Sequence, residues 1–247
     1  MTRRQYKHDP IQEALCEVRF AAGQEWNLTM PGHLHEALKH EYSGRPRQQN
    51  ILAANVIVPP GSAPGVAVAH GLGRVQFPNP DGTRLVATGP DVLSVHVLKP
   101  YPGWDDFRTR ITEAVAAYRT VVLPSGALRV GLRYVNHVEL QEDTPNLGDY
   151  FNCGLTSFKD PNIGATAFMH RTEYVYKDDI RLVLTFASVE PSTGASAFLL
   201  DLDLIWEAGE TAAPIEKVDQ VIDDLRARER DAFERLVTDK LRDLFDA

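Results

Sequence analysis

The chain has 247 residues, 43% hydrophobic and 24% charged, with a formal net charge of −8 at pH 7. That length suits one large domain or two small ones, and the apolar share excludes disorder throughout. Acidity of this size sets the chain as a whole against a nucleic-acid backbone, and so against a general coating of DNA or RNA.

The two cysteines, Cys16 and Cys153, stand far apart and form no C-x-x-C pair. They exclude a thiolate zinc site built by this chain alone and argue against a disulfide framework, so a reduced, cytoplasmic setting is expected. No run reaches the ~18 apolar residues of a membrane helix. The basic start, residues 1–8, lacks the apolar core of a signal peptide, and residues 1–9 read as a mobile tail leading to Pro10.

From Ala14 to Phe20 the residues alternate with period two, placing Ala14, Cys16, Val18 and Phe20 on one face and Glu17 and Arg19 on the other. This is the pattern of a half-buried strand. Met30 and Pro31 open a helix carrying Leu34, Ala37, Leu38 and Tyr42, with proline suited to its first turn. Residues 43–73, rich in Gly, Pro, Ser and Gln, read as an excursion around one apolar stretch, residues 51–58. Three strands are expected at 74–77, 84–88 and 92–98, with Asp81-Gly82 turning the first hairpin. Trp104, Phe107, Ile111, Ala114, Val115 and Tyr118 then form the apolar stripe of an amphipathic helix. After Pro124-Ser125-Gly126 a long alternating strand covers 127–140, and further strands are expected at 167–176, 179–189 and 197–206. The tail repeats apolar residues from Val218 to Leu244 at helical spacing. It is expected to form one long C-terminal helix across the sheet.

Consecutive strands joined by short turns predict an α+β fold with a predominantly antiparallel sheet packed against amphipathic helices. The order of elements repeats loosely, which suggests a pseudo-repeat of two halves, 10–145 and 146–247, within a single domain spanning 1–247.

The strand at 128–140 carries the densest chemistry. Alternation puts Leu128, Val130, Leu132, Tyr134, Asn136, Val138 and Leu140 on one face and Arg129, Gly131, Arg133, Val135, His137 and Glu139 on the other. In the strand at 198–206, Asp201 and Asp203 share a face in the same way. If the strands are neighbours, two arginines and a histidine meet two aspartates. That offers either a polar pocket with paired carboxylates for metal or acid–base work, or a cross-strand charge network. The arginines favour the network, because they neutralise carboxylates that a cation would need.

His33, His35 and His40 lack the i, i+4 spacing of helical zinc ligands and are expected to face solvent. Gly71-Leu72-Gly73 falls short of a dinucleotide fingerprint, and neither a G-x-S-x-G elbow nor a phosphate loop occurs. No catalytic residue, metal ligand or cofactor is therefore assigned. A nucleic-acid surface would have to combine Arg129, Arg133 and His137 with Arg3, Arg4, Lys7, Arg45 and Arg47, and it lacks interleaved aromatics for stacking. Asn136 reads as a hydrogen-bonded buried amide. Thr238, Lys240 and Arg242 read as helix-end residues, with the cations favouring a C-terminal dipole.

Four segments, in order, carry a resemblance: residues 10–20 (PIQEALCEVRF), 129–136 (RVGLRYVN), 199–203 (LLDLD) and 233–245 (FERLVTDKLRDLF). Together they resemble a sporadically distributed, uncharacterised family of bacterial and archaeal proteins of about this length. The resemblance implies a prokaryotic, cytoplasmic accessory protein, associated with mobile or defence-linked gene neighbourhoods, and transfers no catalytic residue.

The expectation from these residues is a non-enzymatic binding or adaptor module. It would act through a protein partner or a small anionic ligand at Arg129, Arg133, His137, Asp201 and Asp203. The rival reading is a metal-dependent enzyme using Asp201 and Asp203. Residues 207–247 hold 12 acidic and 7 basic residues and so contribute −5 of the charge. The acidity belongs largely to the C-terminal tail, which leaves room for a local anion site.

Overall fold

The alternation around Ala14–Phe20 becomes β1 (Ile11–Ala21), with Ala14, Cys16, Val18 and Phe20 buried and their neighbours only partly so. A computed structural model describes residues 6–48, 73–154 and 166–247, together with the backbone of β3 (Ile51–Ile57) and β4 (Gly65–Gly71). The remaining elements are α1 (Met30–Leu38), β2 (Arg47–Gln48), β5 (Val75–Pro78), β6 (Arg84–Gly89), β7 (Val92–Leu98), α2 (Trp104–Val122), β8 (Gly126–Leu140), β9 (Met169–Val175), β10 (Arg181–Val189), β11 (Ser196–Glu207), α3 (Lys217–Leu236) and α4 (Asp239–Asp246).

Nine strands form one antiparallel sheet in the order β2-β5-β6-β7-β1-β8-β11-β10-β9, while β3 and β4 pair with each other. The fold is α+β. Its strand order contains a repeat: β1 pairs with β7, the last strand of the β5–β6–β7 meander, and α2 follows. Likewise β8 pairs with β11, the last strand of the β9–β10–β11 meander, and α3 follows. The two first strands, β1 and β8, pair at the centre of the sheet, with Cys16 opposite Leu132. Topologically the halves divide at residues 123–125, so β8 opens the second half.

The core is the single layer between the sheet and the helices. Alternation delivers Leu132, Tyr134, Leu200, Leu202 and Leu204 to it, all fully buried. Each leucine gains roughly 1.5–3 kcal/mol from leaving water. In the first half Tyr118 of α2 stacks on Phe20 at 4.4 Å between centroids, and its hydroxyl donates to the Pro90 carbonyl at 3.0 Å. In the second half the guanidinium of Arg226 lies 4.5 Å from the Tyr134 ring and pairs with the buried carboxylate of Glu229.

Three expectations change. The tail helix is broken at Val237–Thr238: Val237 is extended and bridges Phe151, while the Thr238 hydroxyl accepts from the Leu241 amide and caps α4. Capping by a threonine outweighs continued helical spacing because it satisfies an orphan donor. Lys240 and Arg242 consequently sit near the start of α4, where their own helix's dipole does not hold them. Arg242 pairs with Glu234 at 3.0 Å and Asp239 at 2.6 Å, and it donates to the Glu234 carbonyl in the last turn of α3.

Residues 6–9 are likewise fixed. The Tyr6 ring meets Phe245 edge-on at 5.2 Å, and its hydroxyl donates to Glu234 at 2.9 Å. Residues 1–5 of the expected tail, with Arg3 and Arg4, lie outside the described residues, as do residues 49–50, 58–64 and 72 of the excursion. Finally, His35 does not face solvent: its ring stacks on Phe77 at 5.1 Å.

Candidate functional site

Strand alternation that sends apolar residues to the helices sends a second, charged set to the other face. The described helices contact the apolar face, through His35 on Phe77, Tyr118 on Phe20, Phe107 on Tyr134 and Arg226 on Tyr134. No described helix covers the charged face. Across it run His96 of β7, Glu13 and Glu17 of β1, Arg129 and Arg133 of β8, and Asp201 and Asp203 of β11. Asn136, on the apolar side, is buried and donates to the Leu200 carbonyl at 3.0 Å.

Arg133 stands directly opposite Asp203 in the β8–β11 register, yet its guanidinium reaches diagonally to Asp201. Nε donates to one carboxylate oxygen at 2.8 Å and Nη2 to the other at 2.7 Å. This fork is the strong, charge-assisted form of the interaction. The Asp201 side chain is 8% exposed while that of Arg133 is 42% exposed. The hydrogen bond to Asp201 holds the guanidinium still further above its ordinary pKa. The Nη1 edge of Arg133 is not used in this pair.

Arg129 turns the other way, over Gly131, and donates to Glu17 at 3.1 Å. Glu17 also accepts from Arg74 at 2.6 Å and Arg19 at 3.1 Å. Burial opposes its charge, but the hydrogen bond from Arg74 and the surrounding guanidinium groups outweigh it and hold the carboxyl below its usual range.

Asp203 is the exception. Half-buried, it forms no ion pair among the described residues, and burial raises its pKa despite the nearby charges of Arg129 and Arg133. A carboxylate desolvated without a hydrogen-bond partner costs folding energy, and such groups concentrate at functional sites.

His137 is on the same face but one step along β8. Its Nδ1 lies 4.0 Å from Glu139, whose carboxylate accepts from the backbone amides of Ser192, Thr193 and Gly194. Those donors and the Thr193 hydroxyl pull Glu139 down to about 2, the hydroxyl having the largest effect. Four of the sequence-derived residues, Arg129, Arg133, Asp201 and Asp203, thus come together. His137 belongs to a separate contact that fastens the β10–β11 turn.

Sequence reading did not assign Glu13, Ser94 and His96 to the face. Glu13 lies 2.8 Å from His96 Nδ1, and His96 Nε2 lies 2.9 Å from the Ser94 hydroxyl. The hydrogen bond with His96 keeps Glu13 below its usual range. The connectivity is that of an acid–base–nucleophile chain. However, Ser94 is fully buried, so no substrate reaches its oxygen, and the chain serves to hold the face together. Its only sequence signal was parity: Glu13 shares the period of Glu17 and Arg19. Beside it a cleft of about 450 Å³ is lined by Glu13, Arg47, Gln76, Asn79, Arg84 and His96.

With Arg19, Arg74, Arg129 and Arg133 set against Glu13, Glu17, Asp201 and Asp203, the face is balanced in charge. Among the described residues no three His, Cys, Asp or Glu side chains are placed to hold a metal ion. No helix among them is long and apolar enough to cross a membrane. No protein-family model matches the chain, and no curated protein matches it.

Proposed function

We propose that the protein is a non-enzymatic binding module of an accessory prokaryotic system and that the charged face of its sheet is the recognition surface. The observation that carries this reading is Asp203: a desolvated, unpaired carboxylate beside an arginine whose outer edge is open. Together they offer an acceptor and a donor side by side. A protein segment bearing one basic and one acidic side chain satisfies both, and the cleft at the His96 end accommodates a further polar side chain. The balanced face favours such a mixed segment over a simple anion.

The rival chemistries fit less well. Arg133 engages both oxygens of Asp201, which leaves Asp203 as a single carboxylate and a weak basis for a divalent site. Arg19, Arg74, Arg129 and Arg133 all lie against carboxylates, so a phosphate backbone would meet little net positive charge. The test is affinity capture from the source organism on immobilised wild-type protein and on Arg133→Glu, with folding checked by circular dichroism. The reading predicts a protein retained by wild type and lost from the variant. Because the reversal also faces Asp201, Asp203→Asn is run beside it. Equal retention on all three proteins would overturn the proposal.

A further inference from the structure

The sheet ends at β9, and β9 is unusually open for a strand. Met169 is 76% exposed, Val175 66% and Tyr174 49%. Its inner edge pairs with β10, with Arg181 opposite Val175 and Ala187 opposite Met169. Among the described strands nothing pairs with its outer edge. Soluble proteins usually blunt such an edge with a bulge, a proline or a cover, because it templates pairing with another chain. Among the described residues neither a proline nor a bulge interrupts the run Met169-His170-Arg171-Thr172-Glu173-Tyr174-Val175.

From the order of residues in that run we infer that β9 pairs with β9 of a second copy of this chain, antiparallel and two-fold symmetric about Thr172. In an antiparallel pair, residues directly opposite point to the same face, so a two-fold axis perpendicular to the sheet must pair positions of equal parity. Full overlap of the seven residues places Thr172 on the axis. Arg171 then faces Glu173 of the second copy, Glu173 faces Arg171, Met169 faces Val175 and His170 faces Tyr174. Two opposite-charge pairs form and the exposed apolar ends meet.

The neighbouring registers are disfavoured. A slip of two residues in one direction sets Arg171 against itself, and in the other it sets Glu173 against itself. Like charges directly opposite destabilise a sheet pair, so the sequence selects one register. Arg171 and Glu173 already lie 2.9 Å apart on the exposed face of one chain, which holds both extended along that face.

A groove of about 430 Å³ runs beside this edge between β9, β10 and α3, lined by Tyr174, Val175, Leu182, Leu184, Ala232 and Leu236 among others. The second copy would cover it. Since the axis is perpendicular to the sheet, the charged faces of the two copies would join into one surface of twice the width.

The test is sedimentation velocity on the full chain over a range of concentrations, with the melting temperature of each variant checked. Wild type is expected as a dimer of the 27.5 kDa chain. Arg171→Glu and Glu173→Arg each put like charges opposite at both ends, and each should weaken dimerisation about tenfold or more. The double exchange Arg171→Glu/Glu173→Arg restores both pairs in this register and should recover wild-type affinity. Thr172→Cys should form an intermolecular disulfide, whereas His170→Cys should not. A wild-type monomer at every concentration would overturn the inference. So would a dimer indifferent to the single changes, or one the double exchange fails to rescue.

Discussion

Removing Arg133 by Arg133→Ala leaves Asp201 buried, with 8% of its side chain exposed and both oxygens deprived of their donors. Breaking a fully buried ion pair costs about 3–5 kcal/mol. Here Arg133 is 42% exposed, so water and salt screen part of that loss and the expected cost is about 2 kcal/mol. For a chain of this size that lowers Tm by roughly 4–8 °C. Asp201→Ala should cost less, because the released guanidinium can swing to Asp203, which stands directly opposite it in the register. Urea unfolding of wild type, both single variants and the double variant gives the coupling energy, expected at about 1–2 kcal/mol. A coupling below about 0.3 kcal/mol, the ordinary scatter of additivity, would refute the view that this fork organises the face.

Asp203→Asn should stabilise the protein, and the gain should grow with pH. The folded group ionises above its ordinary value of 3.8, so folding pays for its charge only as pH rises past that value. Melting curves from pH 4 to 7 check this. Glu13 and Glu17 have the opposite sign: their folded values lie below the ordinary 4.5, so their stabilisation is present above about 4.5 and lost as pH falls through the folded values. Glu17→Gln should therefore flatten the acid side of the stability profile. Leu202→Ala, in the fully buried row, should cost about 2–5 kcal/mol in chemical denaturation. Thr238→Ala removes both the cap of α4 and the 2.6 Å bond to the Asp149 carbonyl. A loss of about 1 kcal/mol, with faster hydrogen exchange confined to α4, is expected.

The strands were legible because alternation is a local pattern that survives into burial: residues 14–20 and 130–140 divide their faces in the structure as they do in the sequence, whereas Leu128, expected on the apolar face, is exposed at a register shift against β1 and Ala127 takes the buried place. Arg129, Arg133, Asp201 and Asp203 were legible for the same reason, once β8 and β11 proved to be neighbours. Sequence spacing could not show that Arg133 passes over its direct opposite, Asp203, to grip Asp201. Glu13 and His96 were hidden because they are 83 residues apart and meet only through β1–β7 pairing. The break at Val237–Thr238 was hidden by apolar spacing that continues across it. A capping threonine is a weaker signal than a run of leucines, yet it decides where a helix begins.

The central claim is that the charged face keeps Asp203 unpaired for a partner, at a cost to the fold. Asp203→Asn tests it most directly, because it preserves shape and removes only the charge. The variant should melt at a higher temperature than wild type at pH 7 and yet lose the protein that wild type captures from the source organism. A variant that melts lower, or that captures the same protein equally well, would contradict the account.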